Sequence, residues 1–140
     1  DTPSFFTESA TAAMRESDLV LLVGSLDLGT IKNMKACLII MDKLNFSRAK
    51  LKLVLNRVGK EFGVYPKDIE ATLKMPIFVT IPADAKSVLT GLNQGVPAAY
   101  SLPDSDFGRS FQMLANAVAG GAREVELPVK KKGFFARVFA

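Results

Sequence analysis

The chain has 140 residues, of which 49% are hydrophobic and 23% charged, a composition typical of one globular domain. It contains no histidine, which excludes Ser-His-Asp and Cys-His catalysis and removes the commonest metal ligand. The single cysteine, Cys37, excludes an intrachain disulfide and is typical of a reducing compartment. No apolar run approaches the roughly 20 residues that span a bilayer, and the first residues do not resemble a secretory signal.

The net charge of +4 is concentrated at the C-terminal end of the sequence. Residues 1–129 hold 14 of the 18 Lys and Arg residues and all 14 Asp and Glu residues, so this part is neutral. The excess comes from Lys130, Lys131, Lys132 and Arg137. Because nucleic-acid-binding domains usually spread basic residues over a face of the fold, we do not expect nucleic acid as a partner.

The first third of the chain predicts a helix, a strand and a second helix. A short helix over 7–17 is expected first, and the apolar run 19–23 predicts a buried strand. A loop over 24–29 follows, and Thr30 is predicted to cap a long helix. The inward positions of that helix recur at helical spacing and are Ile31, Met34, Leu38 and Met41.

A second apolar strand runs directly into a polar pair. Leu51, Leu53, Val54 and Leu55 are nearly continuous, which is typical of a strand buried on both faces in a parallel sheet. Asn56-Arg57 follows at once. Ligands of open α/β sheets bind just beyond the carboxyl ends of the strands, so this pair is a candidate for binding.

The last third predicts one more strand and three helices. Pro66 suits the first turn of a short helix, and 77–81 predicts the third strand. Asp84 is expected to cap a helix that Gly95 closes. The final helix is expected to start at Asp104 or Ser105 and to pack a stripe into the core, namely Phe107, Phe111, Leu114 and Val118.

The alternation of strands and helices predicts an α/β fold of parallel βαβ units. Three strand ends then meet at one edge of the sheet: Asp1-Thr2-Pro3 (if a strand precedes it), Asn56-Arg57 and Pro82-Ala83-Asp84. The Asn56 amide suits the edge of a base, and a carboxylate such as Asp1 suits Mg²⁺ through water. The alternative is that strand ends are polar simply because loops are solvated.

The residues 1–118 resemble the C-terminal half of a MinD/ParA-type P-loop ATPase, most closely its TadZ/CpaE pilus-assembly branch. The resemblance depends on the order and spacing of several short motifs, which are Asp1-Thr2-Pro3, Asp18-Leu19-Val20-Leu21-Leu22-Val23, Val54-Leu55-Asn56-Arg57, Met75-Pro76, Ile81-Pro82-Ala83-Asp84, Gly91-Leu92-Asn93-Gln94-Gly95-Val96-Pro97 and Pro103-Asp104-Ser105. It implies the second half of a doubly wound P-loop NTPase-like domain over 1–121, followed by a linker and tail over 122–140.

The resemblance also implies roles for the matching residues. Asp1 resembles the catalytic switch aspartate that organises Mg²⁺ and its water near the γ-phosphate of ATP. Asn56 resembles the asparagine that recognises adenine, and Arg57 resembles the arginine beside it. Pro82 and Asp84 resemble the loop on the other side of the base. Family members dimerise as an ATP sandwich, so a homodimer is expected.

The sequence departs from the family pattern in its phosphate site. No G-x-x-x-x-G-K-[ST] loop is present, so ATP and Mg²⁺ are expected to bind only with an N-terminal half upstream of Asp1. Ser4 stands where many members have a second proline. The pilus branch includes members with degraded catalytic motifs, so the sequence leaves ATP hydrolysis undecided.

The C-terminal tail, residues 130–140, combines aromatic and basic residues. At about 100° per residue, one helical face would hold Phe134, Phe135, Val138 and Phe139, with Arg137 away from it. Lys130, Lys131 and Lys132 would lie at the base of this helix. This pattern favours binding to an anionic membrane surface and resembles the membrane-targeting helix of MinD-type proteins. The alternative is that the phenylalanines dock on the body of the protein or on a partner.

Together with the tail, the resemblance implies a cytoplasmic localisation or assembly ATPase of the type IV (Flp) pilus system. It would lie on the inner face of the bacterial membrane, dimerise with ATP and meet pilus or polar-localisation proteins. Two alternatives stay open: a non-catalytic scaffold of the same fold, and a relative of the DNA-partitioning ATPases.

Overall fold

The computed structural model describes residues 6–59 and 65–120. Three strands and six α-helices follow one another in these residues: α1 (Glu8–Glu16), β1 (Val20–Ser25), α2 (Leu28–Lys43), β2 (Leu51–Val58), α3 (Pro66–Leu73), β3 (Ile77–Pro82), α4 (Ala85–Gln94), α5 (Ala98–Ser101) and α6 (Asp106–Ala119). One 3-10 turn, Arg48–Lys50, precedes β2. The order confirms the predicted α/β class.

The strands form one parallel sheet in the order β1-β2-β3. The central strand is β2, and its apolar run is buried on both faces as predicted. Leu53 and Leu55 are fully buried, and Val54 between them is 1% exposed. Neighbouring residues in parallel register point to the same face, so this register determines which polar residues share a face.

One face of the sheet, which we call the α2 face, carries the larger core. Its buried residues come from β2, α2, α3 and the segments beside them and are Leu26, Ile31, Met34, Leu38, Met41, Leu51, Leu53, Leu55, Ile69, Leu73 and Met75. All four inward positions predicted for α2 belong to this cluster. Pro66 opens α3 at its first turn, as expected.

The opposite face, which we call the α6 face, has a smaller core. Val54, Phe78, Val79, Ile81 and Ala117 form it, and Leu21, Phe107 and Leu114 pack against it. On this face, near the carboxyl end of β1, Val23 is 54% exposed, although its register partner Val54 is buried. The α6 face is therefore closed over β2 and β3 and open toward the end of β1.

The prediction for the start of α2 was wrong by one turn. The N-cap is Asp27, whose Oδ1 accepts a hydrogen bond from the backbone N–H of Thr30 at 2.7 Å. Thr30 is therefore inside the helix. Residues Gly24 and Ser25, predicted as loop, end β1, and Gly29 lies in the first turn of α2.

Two expectations for the last third need correction. The short helix α5 was not predicted. The stripe on α6 is only half correct, because Phe107 and Leu114 pack on the core whereas Phe111 and Val118 are 36% and 46% exposed. The fully buried positions of α6 are small residues, Gly108, Ser110 and Ala117. Their small side chains allow α6 to pack closely against neighbouring segments.

The caps of the last third follow the sequence prediction. Asp84 caps α4, Gly95 closes it in the left-handed conformation with φ 68°, and Ser105 caps α6. Asp1 and the C-terminal tail lie outside the described residues. No helix within 6–59 and 65–120 has the length and apolar character needed to cross a membrane.

Candidate functional site

The carboxyl ends of the three strands meet at one edge of the sheet, which we call the carboxyl edge. Ser25 at the end of β1 is the register partner of Asn56 in β2, and Val58 is the partner of Pro82 in β3. The backbone N–H of Ala83 donates to the carbonyl of Val58 at 3.0 Å, which joins the loop after β3 to β2. The structure thus brings the predicted residues of β2 and β3 together.

The Asn56 side chain is half-buried on the α6 face of β2. Its Oδ1 accepts a hydrogen bond from the backbone N–H of Arg57 at 2.9 Å. Its amide nitrogen bonds no acceptor in the described part of the chain. An amide whose oxygen is held in this way keeps its nitrogen available to donate to a hydrogen-bond acceptor of a ligand.

Arg57 adopts the left-handed conformation, with φ 55°. An L-residue with a side chain pays roughly 1–2 kcal/mol for this conformation, and such residues cluster at functional sites. The Arg57 side chain is exposed and makes no ion pair with any described residue. The end of β2 therefore carries an exposed arginine directly after Asn56 in the chain.

Pro82 and Asp84 form the β3 side of the edge. Pro82 is half-buried at the end of β3. The Asp84 Oδ1 accepts from the backbone N–H of Ser87 at 3.0 Å, and hydrogen bonding from Ser87 lowers the pKa of the carboxyl, with a smaller contribution from Lys86. Asp84 thus has a local role, because it holds the start of α4 and fixes the loop.

The structure adds a cluster that sequence reasoning missed, which lies at the end of β1. The Asp27 Oδ2 accepts from the hydroxyls of Ser25 and Thr30, both at 2.6 Å. These bonds and the Thr30 backbone N–H lower the pKa of Asp27 from 3.8 to about 2. The spacing of an N-cap acid with a threonine three residues later was the signal that could have identified it.

No metal site can be assembled from the described residues. No group of three or more His, Cys, Asp or Glu side chains that could hold an ion lies in 6–59 or 65–120. Asp1, the predicted catalytic and Mg²⁺-organising residue, is outside this part. The described residues therefore give a position to Asn56, Arg57, Pro82 and Asp84 and none to Asp1.

Comparison with known proteins finds similarity only at the level of structure. No protein-family model matches the sequence, and no curated protein matches it.

Several solved structures share the fold. MinD from Pyrococcus horikoshii OT3, complexed with Mg-ADP, has a TM-score of 0.69 at 23% identity, covering 89% of this chain and 52% of that one. A ParA family ATPase from Chlorobium tepidum TLS has a TM-score of 0.69 at 17% identity, covering 80% and 45%. The MinC:MinD complex of Aquifex aeolicus has a TM-score of 0.72 at 17% identity, covering 87% and 50%.

The chain spans about half the length of each of these proteins. At such identities the likeness establishes the fold and nothing finer. The three parallel strands and their helices correspond to part of a doubly wound P-loop NTPase fold, as the residues predicted. The chain therefore has the fold of about half of a MinD/ParA-type ATPase.

Proposed function

We propose that residues 1–121 are the second half of a MinD/ParA-like ATP-binding domain and that adenine binds at the carboxyl edge against Asn56. The observation that carries this is the end of β2. There a half-buried amide keeps its oxygen on the Arg57 backbone and its nitrogen without an acceptor among the described residues. The fold supports the location, because ligands of open α/β sheets bind beyond the carboxyl ends of the strands.

Each residue of the edge has a distinct task in this proposal. The Asn56 amide nitrogen donates to a ring nitrogen of the base. The exposed guanidinium of Arg57 stacks on or bonds to the nucleotide beside it. Pro82 supplies an apolar wall, and Asp84 positions the loop by capping α4. The base is thereby held between the ends of β2 and β3.

The phosphate end of the nucleotide requires residues beyond this sequence. A phosphate cradle would come from the upstream half of the domain, and Asp1 would hold Mg²⁺ through a water molecule. The magnesium neutralises phosphate charge when it is bound. Hydrolysis of ATP depends on that cradle, so the activity we propose for this chain is adenine recognition.

Mutation of Asn56 tests the proposal in the chain joined to its upstream half. We expect Asn56→Ala to weaken ATP binding by about 5- to 30-fold, because it removes a hydrogen bond worth about 1–2 kcal/mol at a half-buried site. Asn116→Ala is the matched control, since Asn116 is exposed on α6 and belongs to none of the three strand ends. Wild-type affinity in Asn56→Ala, measured by calorimetric titration, would place the base elsewhere.

We further propose that the protein is a dimeric, membrane-peripheral ATPase of the pilus-assembly type. The support is the composition of residues 130–140, whose aromatic face and basic residues suit an anionic leaflet. A neighbour in the MinD group forms a complex with MinC, which makes a protein partner plausible for this fold. Two tails in a dimer would bind a membrane more tightly than one, by effective concentration.

Vesicle cosedimentation tests the membrane part of the proposal. We expect deletion of 130–140 to abolish pelleting with vesicles that contain anionic phospholipid. The double variant Phe134→Ser and Phe135→Ser keeps all four cations and should also lose most binding, since the apolar face supplies the insertion. Unchanged pelleting of both proteins would show that the tail is not the anchor.

A further inference from the structure

An apolar groove runs between α4, α5 and α6. Its volume is about 420 Å³, and among the described residues no charged or hydrogen-bonding side chain lines it. The lining residues are Val88, Gly91, Leu92, Gly95, Val96, Pro97, Ala98, Ala99, Phe107 and Phe111. Leu92 is 71% exposed on one rim and Phe111 is 36% exposed on the other. A surface of this kind on a neutral body requires an explanation.

The groove is a built feature of the backbone. The left-handed Gly95 ends α4 and turns the chain back, and the Val96 N–H donates to the Gly91 carbonyl at 2.9 Å. A Cβ at Gly91 would lie 2.5 Å from the Val96 carbonyl oxygen, so only glycine lets the two segments approach this closely. These contacts fix the floor of the groove.

The opposite wall is made by two aromatic rings. Phe107 and Phe111 pack with ring centroids 4.9 Å apart and tilted by 45°. The stripe on α6 predicted Phe111 to be a core residue, yet its ring borders the groove. An aromatic pair at the wall of a rigid groove offers edge and face contacts to further aromatic side chains.

We propose that this groove is the docking site for the aromatic tail of the same chain, residues 130–140. Phe134, Phe135, Val138 and Phe139 match an all-apolar lining, and the tail carries no acidic residue. Its lysines precede the aromatic residues, so they stay in water while the phenylalanines are buried.

The length of the chain permits this docking. Thirteen residues, 121–133, separate the end of α6 from Phe134. A random coil of 13 residues would have a root-mean-square span of about 20 Å. Phe111 lies nine residues before Gly120 along α6, a distance of about 14 Å. The groove is therefore within reach of its own tail, whose effective concentration there is in the millimolar range.

Docking and membrane insertion use the same four apolar side chains, so they exclude each other. A tail held in the groove keeps the protein off the membrane until something displaces it. This consequence depends on the membrane binding proposed above, whereas the docking itself does not.

Disulfide trapping tests the docking in the complete chain. Cys37→Ser removes the native thiol, and Leu92→Cys with Phe135→Cys then places one thiol on the groove rim and one in the tail. The control pair is Val118→Cys with Phe135→Cys. Val118 is exposed at 46% and closer to the tail along the chain, but does not line the groove.

We expect the Leu92 pair to form an intrachain disulfide at least about tenfold faster than the Val118 pair, because the two thiols must approach within about 7 Å between Cα atoms. Equal rates, or a faster Val118 pair, would show a tail that does not dock. A Leu92 product that is a covalent dimer at micromolar protein would likewise overturn docking within one chain.

A second variant separates the docking from the membrane proposal. Leu92→Asp should weaken docking and raise pelleting with anionic phospholipid vesicles severalfold, whereas Val118→Asp should leave it unchanged. If the Leu92 disulfide forms but no variant binds vesicles, the docking stands and the proposed membrane function fails. Trypsin cleaves after Lys130, Lys131 and Lys132, so its cleavage rate there reports how accessible the tail is. If Leu92→Asp changes neither this rate nor the pelleting, the groove does not hold the tail.

Discussion

The two faces of the sheet are covered to different extents. On the α2 face, helices α2 and α3 bury eleven residues in one cluster, including Leu53 and Leu55 of β2. On the α6 face the cluster among the described residues has five buried members, and coverage stops short of the end of β1. Leu22 of β1 packs on the first cluster, whereas Val23 beside it is 54% exposed.

The difference locates the candidate site on the face that is incompletely covered. Asn56 and Ser25 are register partners on the α6 face. They lie two residues beyond the pair Val54 and Val23, toward the carboxyl ends of the strands. The site therefore borders exposed apolar surface. In the proposed function, the upstream half of the domain covers this surface and completes the nucleotide pocket.

The largest expected effect is on the closed face. Leu53→Ala removes a side chain with 0% exposure and should lower the free energy of unfolding by about 2–5 kcal/mol. Leu28→Ala is the control, since Leu28 is 72% exposed, and it should stay within about 0.5 kcal/mol. Urea unfolding followed by circular dichroism measures both. Equal losses would contradict the packing described here.

The next prediction concerns the open face. Val23→Ser should change the stability of residues 1–140 by less than about 0.5 kcal/mol, because Val23 is 54% exposed. In the chain joined to its upstream half, the same change should cost about 1–3 kcal/mol, because a hydroxyl then replaces a buried methyl pair. The two values come from denaturant curves of both lengths. A small cost in the longer protein would mean that β1 stays uncovered.

A smaller effect is expected at the groove, where Gly95 closes α4. Its φ of 68° is unfavourable for other residues, and a Cβ there would meet no described atom within 4 Å. Gly95→Ala should therefore cost about 1 kcal/mol from backbone strain alone. Gly95→Asn should cost less, because asparagine tolerates the left-handed conformation. Thermal unfolding distinguishes them, and an Asn variant worse than the Ala variant would refute a purely conformational cause.

The smallest effect is a pH dependence at Asp27. Its pKa is lowered from 3.8 to about 2, so the ionised group stabilises the fold above pH 3.8 and this contribution is lost as the pH falls toward 2. The stability difference between the wild type and Asp27→Asn should therefore shrink between pH 5 and pH 2. Urea midpoints across that range give the result. A difference that grows with acid would reverse the assigned sign.

The sequence predicted the elements where one physical signal dominated. The apolar run of β2 required burial on both faces, and Pro66, Asp84 and Gly95 each suit only one helix position, so these elements and ends were correct. The start of α2 was predicted at Thr30, because residues 24–29 were assigned to a loop. The backbone instead begins the helix after Asp27, whose carboxylate caps it and also bonds Ser25.

Long-range packing explains what pattern alone could not predict. The stripe on α6 predicted four large inward residues, of which only Phe107 and Leu114 pack on the core. Other buried positions of α6 are the small residues Gly108, Ser110 and Ala117, because close packing favours small side chains. Phe111 was thereby left for the groove. In the site, Asn56 was located from the strand end, whereas the left-handed Arg57 and the Asp27 cluster depend on tertiary geometry.

An equilibrium ATP titration tests the central claim most directly. It compares residues 1–140, the chain joined to its upstream half, and the longer chain carrying Asn56→Ala. We predict saturable binding by the longer chain, binding about 100-fold weaker or more by residues 1–140 without the phosphate cradle, and about tenfold weaker binding in the variant. Equal affinity in the longer chain and its Asn56→Ala variant would contradict an adenine site at the end of β2.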